Sequence, residues 1–181
     1  MTCIVAIKEN GKVYLGADSA SSDDEQDMRT ISKHPKIFKN GPVAIGFCGS
    51  WRAGKVFQYD LIVPKLDTND IDRYMNTTFI NALQECAERN RLVIDESKPE
   101  NDLADLIVAV SGRIYEVQSH IQALEHVDNY FAVGSGAKFA LGSLCTTEEF
   151  DLPPNERLEL ALDAASKYSM SVAPPYSYLV K

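Results

Sequence analysis

The order of apolar and polar positions predicts that this chain begins with strands. Residues 3–7 and 13–17 are apolar and β-prone, and Asn10-Gly11 between them is the strongest short-range signal for a hairpin turn. The polar segment 19–34 has no comparable pattern, so we expect a loop there. A second hairpin is predicted over 36–47.

In that second hairpin, residues 36–38 and 43–47 are the strands and Asn40-Gly41 is the turn. Pro42 would begin the second strand, where its missing N–H matters least. The second strand of this hairpin is the apolar stretch 43–47, which contains Gly46.

Helices and further strands follow in separate runs. Recurrence of apolar residues every three or four positions predicts helices over 50–63, 70–92, 137–144 and 155–168. Further strands are predicted over 105–110, 113–118, 129–133 and 176–180. Segregated runs favour an α+β fold over alternating βαβ units. We expect a four-layer αββα sandwich, two antiparallel sheets flanked by helices, forming a single domain over residues 1–181.

Composition limits the class of protein. The 181 residues, 45% hydrophobic and 24% charged, are typical of one globular domain. The chain has no apolar run that could span a membrane and no signal-peptide pattern at its start, so we expect a cytoplasmic protein without membrane contact. The net charge of −8 argues against nonspecific binding of nucleic acid.

Cysteine and acidic residues give no indication of a metal site. The four cysteines are far apart and form neither a CxxC pair nor zinc-ligand spacing, which predicts reduced thiols: Cys3, Cys48, Cys86 and Cys145. The acidic residues 23–25 are typical of a solvated loop, and residues 95–102 of a connection between a helix and a strand. We expect neither a metal nor a cofactor.

Thr2 is the first candidate for chemistry. A small residue after the initiator methionine favours removal of Met1, and the chain would then begin with a threonine that has a free α-amine. Such a residue carries a hydroxyl nucleophile and its own general base, because an α-amine has a pKa near ~8. The alternative is that Thr2 only makes Met1 easy to remove.

Four features line up with Thr2: a strand ending in Asp18, a lysine before the third strand, a glycine-rich strand end, and the turn Gly134-Ser135-Gly136. The stretches TCIVAIKENGKVYLGADS, IGFCGS, VGSGAKFA and ALDAAS, taken in order, resemble the proteasome β-type N-terminal nucleophile (Ntn) hydrolases, including the bacterial HslV-like peptidases. The resemblance extends over almost the whole chain. It implies the αββα fold and a threonine-type endopeptidase.

The resemblance assigns roles to three residues. Thr2 Oγ would attack the scissile carbonyl, and Asp18 would anchor a neighbouring lysine. Lys36 would lower the pKa of the hydroxyl and of the amine by its positive charge. Asp18 is also compatible with an Asx turn, and Lys36 with an exposed edge lysine. A gapless match puts His34 in place of Lys36, but Lys-Ile-Phe fits the local pattern better.

Two further residues are matched to the family in the same way. Gly46 would supply the oxyanion-hole N–H, and its alternative interpretation is close packing. Ser135 would hydrogen-bond near the terminal amine. Its alternative is a helix cap, whereas a phosphate loop is excluded because GSGAKFALG has neither GxxxxGK[ST] nor GxGxxG.

The sequence departs from the family pattern near its end and leaves the start open. Ser169 stands where the family has a supporting aspartate, so it would bring a hydroxyl without charge. If Met1 is retained, Thr2 has an amide nitrogen and no base. The resemblance also implies a specificity pocket near Ala44 and Cys48, expected to be apolar and of small to medium size.

These expectations lead to one main hypothesis and two alternatives. The main hypothesis is a threonine peptidase that assembles into a closed homo-oligomeric ring and hydrolyses peptides or unfolded chains inside it, with the existence of an ATPase partner left open. The alternatives are a non-catalytic, proteasome-like structural subunit and an Ntn amidohydrolase that acts on a small amide.

Overall fold

The structure is a computed structural model that describes residues 2–23, 28–92, 103–118 and 120–181. Most of its strands belong to two large sheets. The strands are β1 Ile4–Glu9, β2 Lys12–Ala17, β3 Ala20–Asp23, β4 Met28–Ile31, β5 Ile37–Asn40, β6 Val43–Gly49, β7 Ala104–Val110, β8 Arg113–Gln118, β9 Gln122–Glu125, β10 Tyr130–Val133 and β11 Ser177–Val180. The first sheet has the order β10-β1-β2-β11 and the second β5-β6-β7-β8-β9, while β3 pairs with β4 separately. Every pairing between these strands is antiparallel.

The helices form the outer layers. They are α1 Trp51–Tyr59, α2 Ile71–Arg73, a π-helical segment Tyr74–Phe79, α3 Ile80–Arg89, α4 Ala137–Thr147 and α5 Pro154–Tyr168. One apolar cluster joins α4 and α5 to the first sheet, and another joins α1 and α3 to the second. A third cluster, including Ile4, Leu15 and Ile107, fills the space between the sheets. The predicted four-layer αββα sandwich is therefore confirmed.

Both predicted hairpins form, but the second turns one residue later than expected: Asn40 ends β5 in register with Val43, so Gly41 and Pro42 form the turn and Pro42 does not begin β6. The first turn is at the predicted place. Asn10 and Gly11 adopt φ values of 50° and 72°, the left-handed conformation that a tight two-residue turn requires. Ile4 is then in register with Ala17. This register brings the start of β1 and the end of β2 to the same edge of the sheet.

The predicted helix 50–63 is too long. Ser50 caps α1 by accepting a hydrogen bond from Ala53 N, but the helix ends at Tyr59. Beyond it, the side-chain amide of Asn40 donates to Leu61 O at 2.9 Å, so a β5 side chain hydrogen-bonds the non-helical backbone. The predicted helix 70–92 is helical but contains the π-helical segment.

Two parts of the strand prediction are wrong. The expected loop 19–34 contains β3 and β4, and β9 was not predicted. These strands lack a buried apolar face: all four residues of β4 are exposed, and Ala123 alone is buried in β9. Residues 24 and 25 of the predicted acidic loop, the predicted connection 95–102 and Met1 lie outside the described residues.

The described helices include none that is long and apolar enough to cross a membrane.

Candidate functional site

Strand ends from both sheets meet around Thr2. Thr2 precedes β1, whose Ile4 is in register with Ala17 of β2 on one side and with Val133 of β10 on the other. Gly136 N donates to Thr2 O at 3.2 Å, so the turn after β10 holds the start of β1. Thr2 itself is buried, with 3% of its surface exposed.

Asp18 connects three segments of backbone at this edge. Its Oδ1 accepts from Cys3 N at 2.9 Å, and its Oδ2 accepts from Ala20 N at 2.8 Å and from Ala173 N at 3.4 Å. The carboxylate is fully buried. An Asx turn explains the bond to Ala20, but not the bonds to Cys3 and Ala173, which lie 15 and 155 residues away.

Lys36 is the cation paired with Asp18. Its Nζ donates to Asp18 Oδ1 at 2.8 Å, and the side chain is only 1% exposed. His34 and the neighbouring Lys33 and Lys39 are all exposed. The structure thus places Lys36, and not His34, beside Asp18, and it does not support the alternative of an exposed edge lysine. Burial lowers the pKa of Lys36, while the Asp18 carboxylate opposes this change by favouring the ammonium.

A chain of serine hydroxyls leads away from the backbone nitrogen of Thr2. Thr2 N donates to Ser135 Oγ at 3.2 Å, Ser135 Oγ lies 2.8 Å from Ser171 Oγ, and Ser171 Oγ lies 3.0 Å from Ser169 Oγ. The structure joins Ser135 and Ser169 through Ser171. The sequence match had placed Ser171 only in the stretch following Ser169.

Gly46 lies within the second sheet and not at its open edge. Phe47 N donates to Lys36 O at 3.0 Å, and N–H groups alternate in direction along a strand, so the Gly46 N–H points toward β7, where Gly46 is in register with Ile107. A Cβ at Gly46 would lie 2.6 Å from Ile4 Cγ2. The geometry therefore favours close packing as the reason for a glycine at position 46, in place of the expected oxyanion role.

Gly49 has the geometry that was expected of Gly46. It ends β6 with φ +95°, a conformation that favours glycine, and it is exposed. Because N–H groups alternate in direction along β6, the Gly49 N–H points to the side on which β5 lies. β5 begins at Ile37, in register with Gly46, so the strand does not extend as far as Gly49. The sequence does contain this residue in the matched stretch: Gly49 is the second glycine of IGFCGS, whereas the oxyanion role was assigned to the first, Gly46.

The two cysteines near Thr2 are poor nucleophiles. Burial raises the pKa of the Cys48 thiol to about 12 and also raises the pKa of Cys3. Both remain neutral thiols near neutral pH, and the thiolate is the reactive form. Ala44 and Cys48 are 0% and 4% exposed within the cluster between the sheets, so they do not line an open pocket as expected.

Curated relatives of this chain are bacterial proteases. A scan against models of protein families finds no match. The chain is 27% identical over 167 residues to the ATP-dependent protease subunit HslV of Caldicellulosiruptor saccharolyticus, which covers 91% of this chain and 89% of that protein. It is 25% identical over 144 residues to the ATP-dependent protease subunit HslV of Rickettsia typhi, covering 78% and 72% respectively.

Solved structures share the fold. BPH from Thiobacillus denitrificans, determined in complex with epoxomicin, superimposes with a TM-score of 0.81 at 17% identity, covering 99% of this chain and 97% of that one. HslV from Trypanosoma brucei superimposes with a TM-score of 0.71 at 21% identity, covering 98% of each chain. The curated relatives and the solved structures agree: the chain is similar in sequence to HslV protease subunits and shares the fold of HslV-like Ntn hydrolases.

Proposed function

We propose that this protein is a threonine-type endopeptidase in which Thr2 becomes the N-terminal nucleophile after Met1 is removed. The observation that supports this most strongly is the buried Lys36–Asp18 pair, whose carboxylate also binds the backbone N–H of Cys3, directly after Thr2. A buried charge pair is costly to maintain, and nothing in sheet packing requires it at this position. We further propose that residues 1–181 form one domain located in the cytoplasm, consistent with its four free thiols.

In the proposed reaction, the α-amine of Thr2 accepts the proton of its own Oγ. The oxygen then attacks the scissile carbonyl carbon, and a tetrahedral oxyanion forms. The positive charge of Lys36 lowers the pKa of both Thr2 groups, so that the amine is in its basic form near neutral pH. Asp18 holds the lysine by the 2.8 Å contact to Nζ.

We assign the oxyanion hole to the Gly49 N–H, because that group ends β6 on the side where β5 no longer covers it. A fixed N–H of this kind contributes roughly 3–4 kcal/mol to transition-state stabilisation. The amine of Thr2 returns its proton to the leaving nitrogen, and an ester to Oγ remains. Water then attacks the ester carbonyl, giving up one proton to the amine, and Thr2 Oγ leaves as the hydroxyl.

The chain of serine hydroxyls would orient the amine. Ser135 Oγ accepts from Thr2 N, and Ser171 and Ser169 fix the direction of that hydroxyl. The three hydroxyls carry no charge, so they orient the amine while favouring its protonated form less than a carboxylate would. The charge state of the amine then depends on Lys36 and Asp18.

We also propose that the subunit acts within a homo-oligomeric ring on peptides or unfolded chains. The curated relatives are named as subunits of ATP-dependent proteases, which supports an assembly that encloses its sites. Size-exclusion chromatography with light scattering tests this, since a ring has a multiple of the 20.0 kDa chain mass and a monomer contradicts it.

The catalytic proposal is tested by replacing Thr2. Thr2→Ala should keep the assembly state and the far-UV spectrum but lose turnover of fluorogenic peptides. Thr2→Ser retains a hydroxyl and an amine, so it should keep measurable activity. Unchanged turnover by Thr2→Ala, in protein shown by mass to lack Met1, would contradict the assignment.

One observation favours a second candidate, a non-catalytic structural subunit. Ser169 carries no charge where the resemblance implies a supporting aspartate, so the site could have lost rate while the fold was kept. The two candidates differ in one result. A structural subunit assembles but hydrolyses no peptide even when Met1 is absent.

A further inference from the structure

The only tryptophan of the chain lies beside the candidate site. Trp51 is the first residue of α1 and follows the left-handed Gly49 and the helix cap Ser50. Its ring packs edge-on against Phe47, with centroids 5.4 Å apart and planes at 80°. The turn at the end of β6 therefore places an indole next to the strand end that holds Gly49.

Two lysines approach this indole. Lys36 Nζ lies 5.9 Å from the ring centroid of Trp51, and Lys55 Nζ, one helical turn along α1, lies 5.7 Å from it. Both distances are within the range of a cation–π contact, and the contact is stronger when the cation has lost its water. Lys36 is 1% exposed and Lys55 half-buried, so the contact with Lys36 is the one with the larger effect.

Lys36 needs groups that compensate for its loss of water. Burial lowers its pKa, and the groups that face it are the Asp18 carboxylate and the neutral thiols of Cys3 and Cys48. Asp18 Oδ1 is the anionic partner on one side. The Trp51 ring adds a region of negative potential.

We propose that Trp51 is a positioning residue for Lys36: its indole face helps to hold the Lys36 side chain as an ammonium against Asp18. The inference rests on the proposed function for the role given to Lys36, but not for the contact itself. Because Trp51 is the only tryptophan, its fluorescence responds to the charge of both nearby lysines, Lys36 and Lys55, and burial lowers the pKa of each.

The first test is a fluorescence titration that requires no activity. Trp51 emission is followed at alkaline pH in the wild type, in the Lys36→Met/Asp18→Asn double variant, and in Lys55→Gln as the matched control. Tyrosine ionisation affects all three and cancels in the differences. We expect a wild-type transition whose amplitude is clearly reduced in the double variant and largely kept in Lys55→Gln. An unchanged amplitude in the double variant, or a transition that disappears with Lys55, overturns the proposal.

The second test uses the pH profile of kcat/KM. Trp51→Leu keeps an apolar side chain but removes the π face, so the Lys36 pKa should fall and the alkaline limb should move down by about half a pH unit or more. Trp51→Phe keeps a weaker face and should shift the limb less, while Lys55→Gln should match the wild type. If the alkaline limb of kcat/KM lies at the same pH in the wild type and in Trp51→Leu, the proposal is overturned.

The two tests separate the inference from the proposed function. If protein without Met1 shows no turnover at all, the proposed peptidase activity fails. The fluorescence differences still decide whether Trp51 contacts a charged Lys36. If turnover is present but neither the emission nor the limb depends on Trp51 and Lys36 together, the inference fails alone.

Discussion

Lys36 Nζ lies 2.8 Å from Asp18 Oδ1, and neither side chain exposes more than 1% of its surface. The same carboxylate oxygen accepts the backbone N–H of Cys3, so one group connects the lysine to the residue after Thr2. A displacement of Asp18 would therefore move the lysine and the start of β1 together. This coupling makes the pair the centre of the proposed mechanism.

The pair should be strongly coupled in stability. Lys36→Met or Asp18→Asn alone leaves one buried charge without its partner and should lower the free energy of unfolding by about 3–5 kcal/mol. The double variant removes both charges and should lose much less than the sum. Denaturant unfolding of the four proteins measures this coupling, and additive losses would contradict it.

The stability of the protein should depend on alkaline pH through Lys36. Burial lowers its pKa in the folded state, whereas the unfolded chain has a lysine pKa near ~10.4. Between these two values the unfolded state binds more protons at this position, so the free energy of unfolding rises with pH. Below the folded pKa, both states are protonated and the slope vanishes.

The comparison that isolates this effect is the wild type minus the Lys36→Met/Asp18→Asn variant. Their difference in the free energy of unfolding should increase as the pH rises toward ~10.4. A difference that decreases over this range would mean that Asp18 raises the Lys36 pKa above its ordinary value.

Ser169→Asp should shift the activity profile. A carboxylate at this position joins the hydroxyl chain through Ser171 and Ser135 to Thr2 N and raises the pKa of the amine by favouring its protonated form. The acid limb of kcat/KM should then move to higher pH, because that limb reports the essential base of the free enzyme. Ser169→Asn is the neutral control, and an equal shift in both variants would exclude a charge effect.

Gly134 should be intolerant of a side chain. It has φ +96°, and a Cβ there would lie 2.3 Å from Thr2 O. Gly134→Ala should therefore displace Thr2 and reduce peptide turnover by at least tenfold, an effect of about 1.4 kcal/mol on the barrier.

Gly142 is the matched control for Gly134. It lies within α4, where a Cβ would meet nothing within 4 Å, so Gly142→Ala should keep activity and raise the free energy of unfolding by up to about 1 kcal/mol. Equal activity of the two alanine variants would show that the contact with Thr2 O does not matter.

Local sequence signals predicted the elements that have both a turn signal and a buried face. Asn10-Gly11 set the first hairpin, and the apolar stretch of 13–17 set its register. The strands β4 and β9 were missed because their side chains are mostly exposed, and β3 was missed because its sequence, Ala-Ser-Ser-Asp, has a single apolar residue and no alternation. Their backbone pairing depends on neighbouring strands, which local pattern does not report.

The sequence likewise predicts some features of the candidate site and not others. Asp18 and Lys36 follow from their places at strand ends, where antiparallel pairing brings residues together. The distinction between Gly46 and Gly49 required the direction of each N–H, which depends on the register of β6 with β5 and β7. The approach of Trp51 to Lys36 is a contact between a helix and a strand end, and sequence spacing does not indicate it.

The most direct test of the central claim is the intact mass of the protein after incubation with an electrophilic inhibitor directed at N-terminal threonine nucleophiles. We predict a wild-type chain that lacks Met1 and carries one inhibitor molecule, with no adduct on Thr2→Ala. A wild-type chain that lacks Met1 yet remains unmodified, or a Thr2→Ala chain modified to the same extent, would contradict the assignment of Thr2 as the nucleophile.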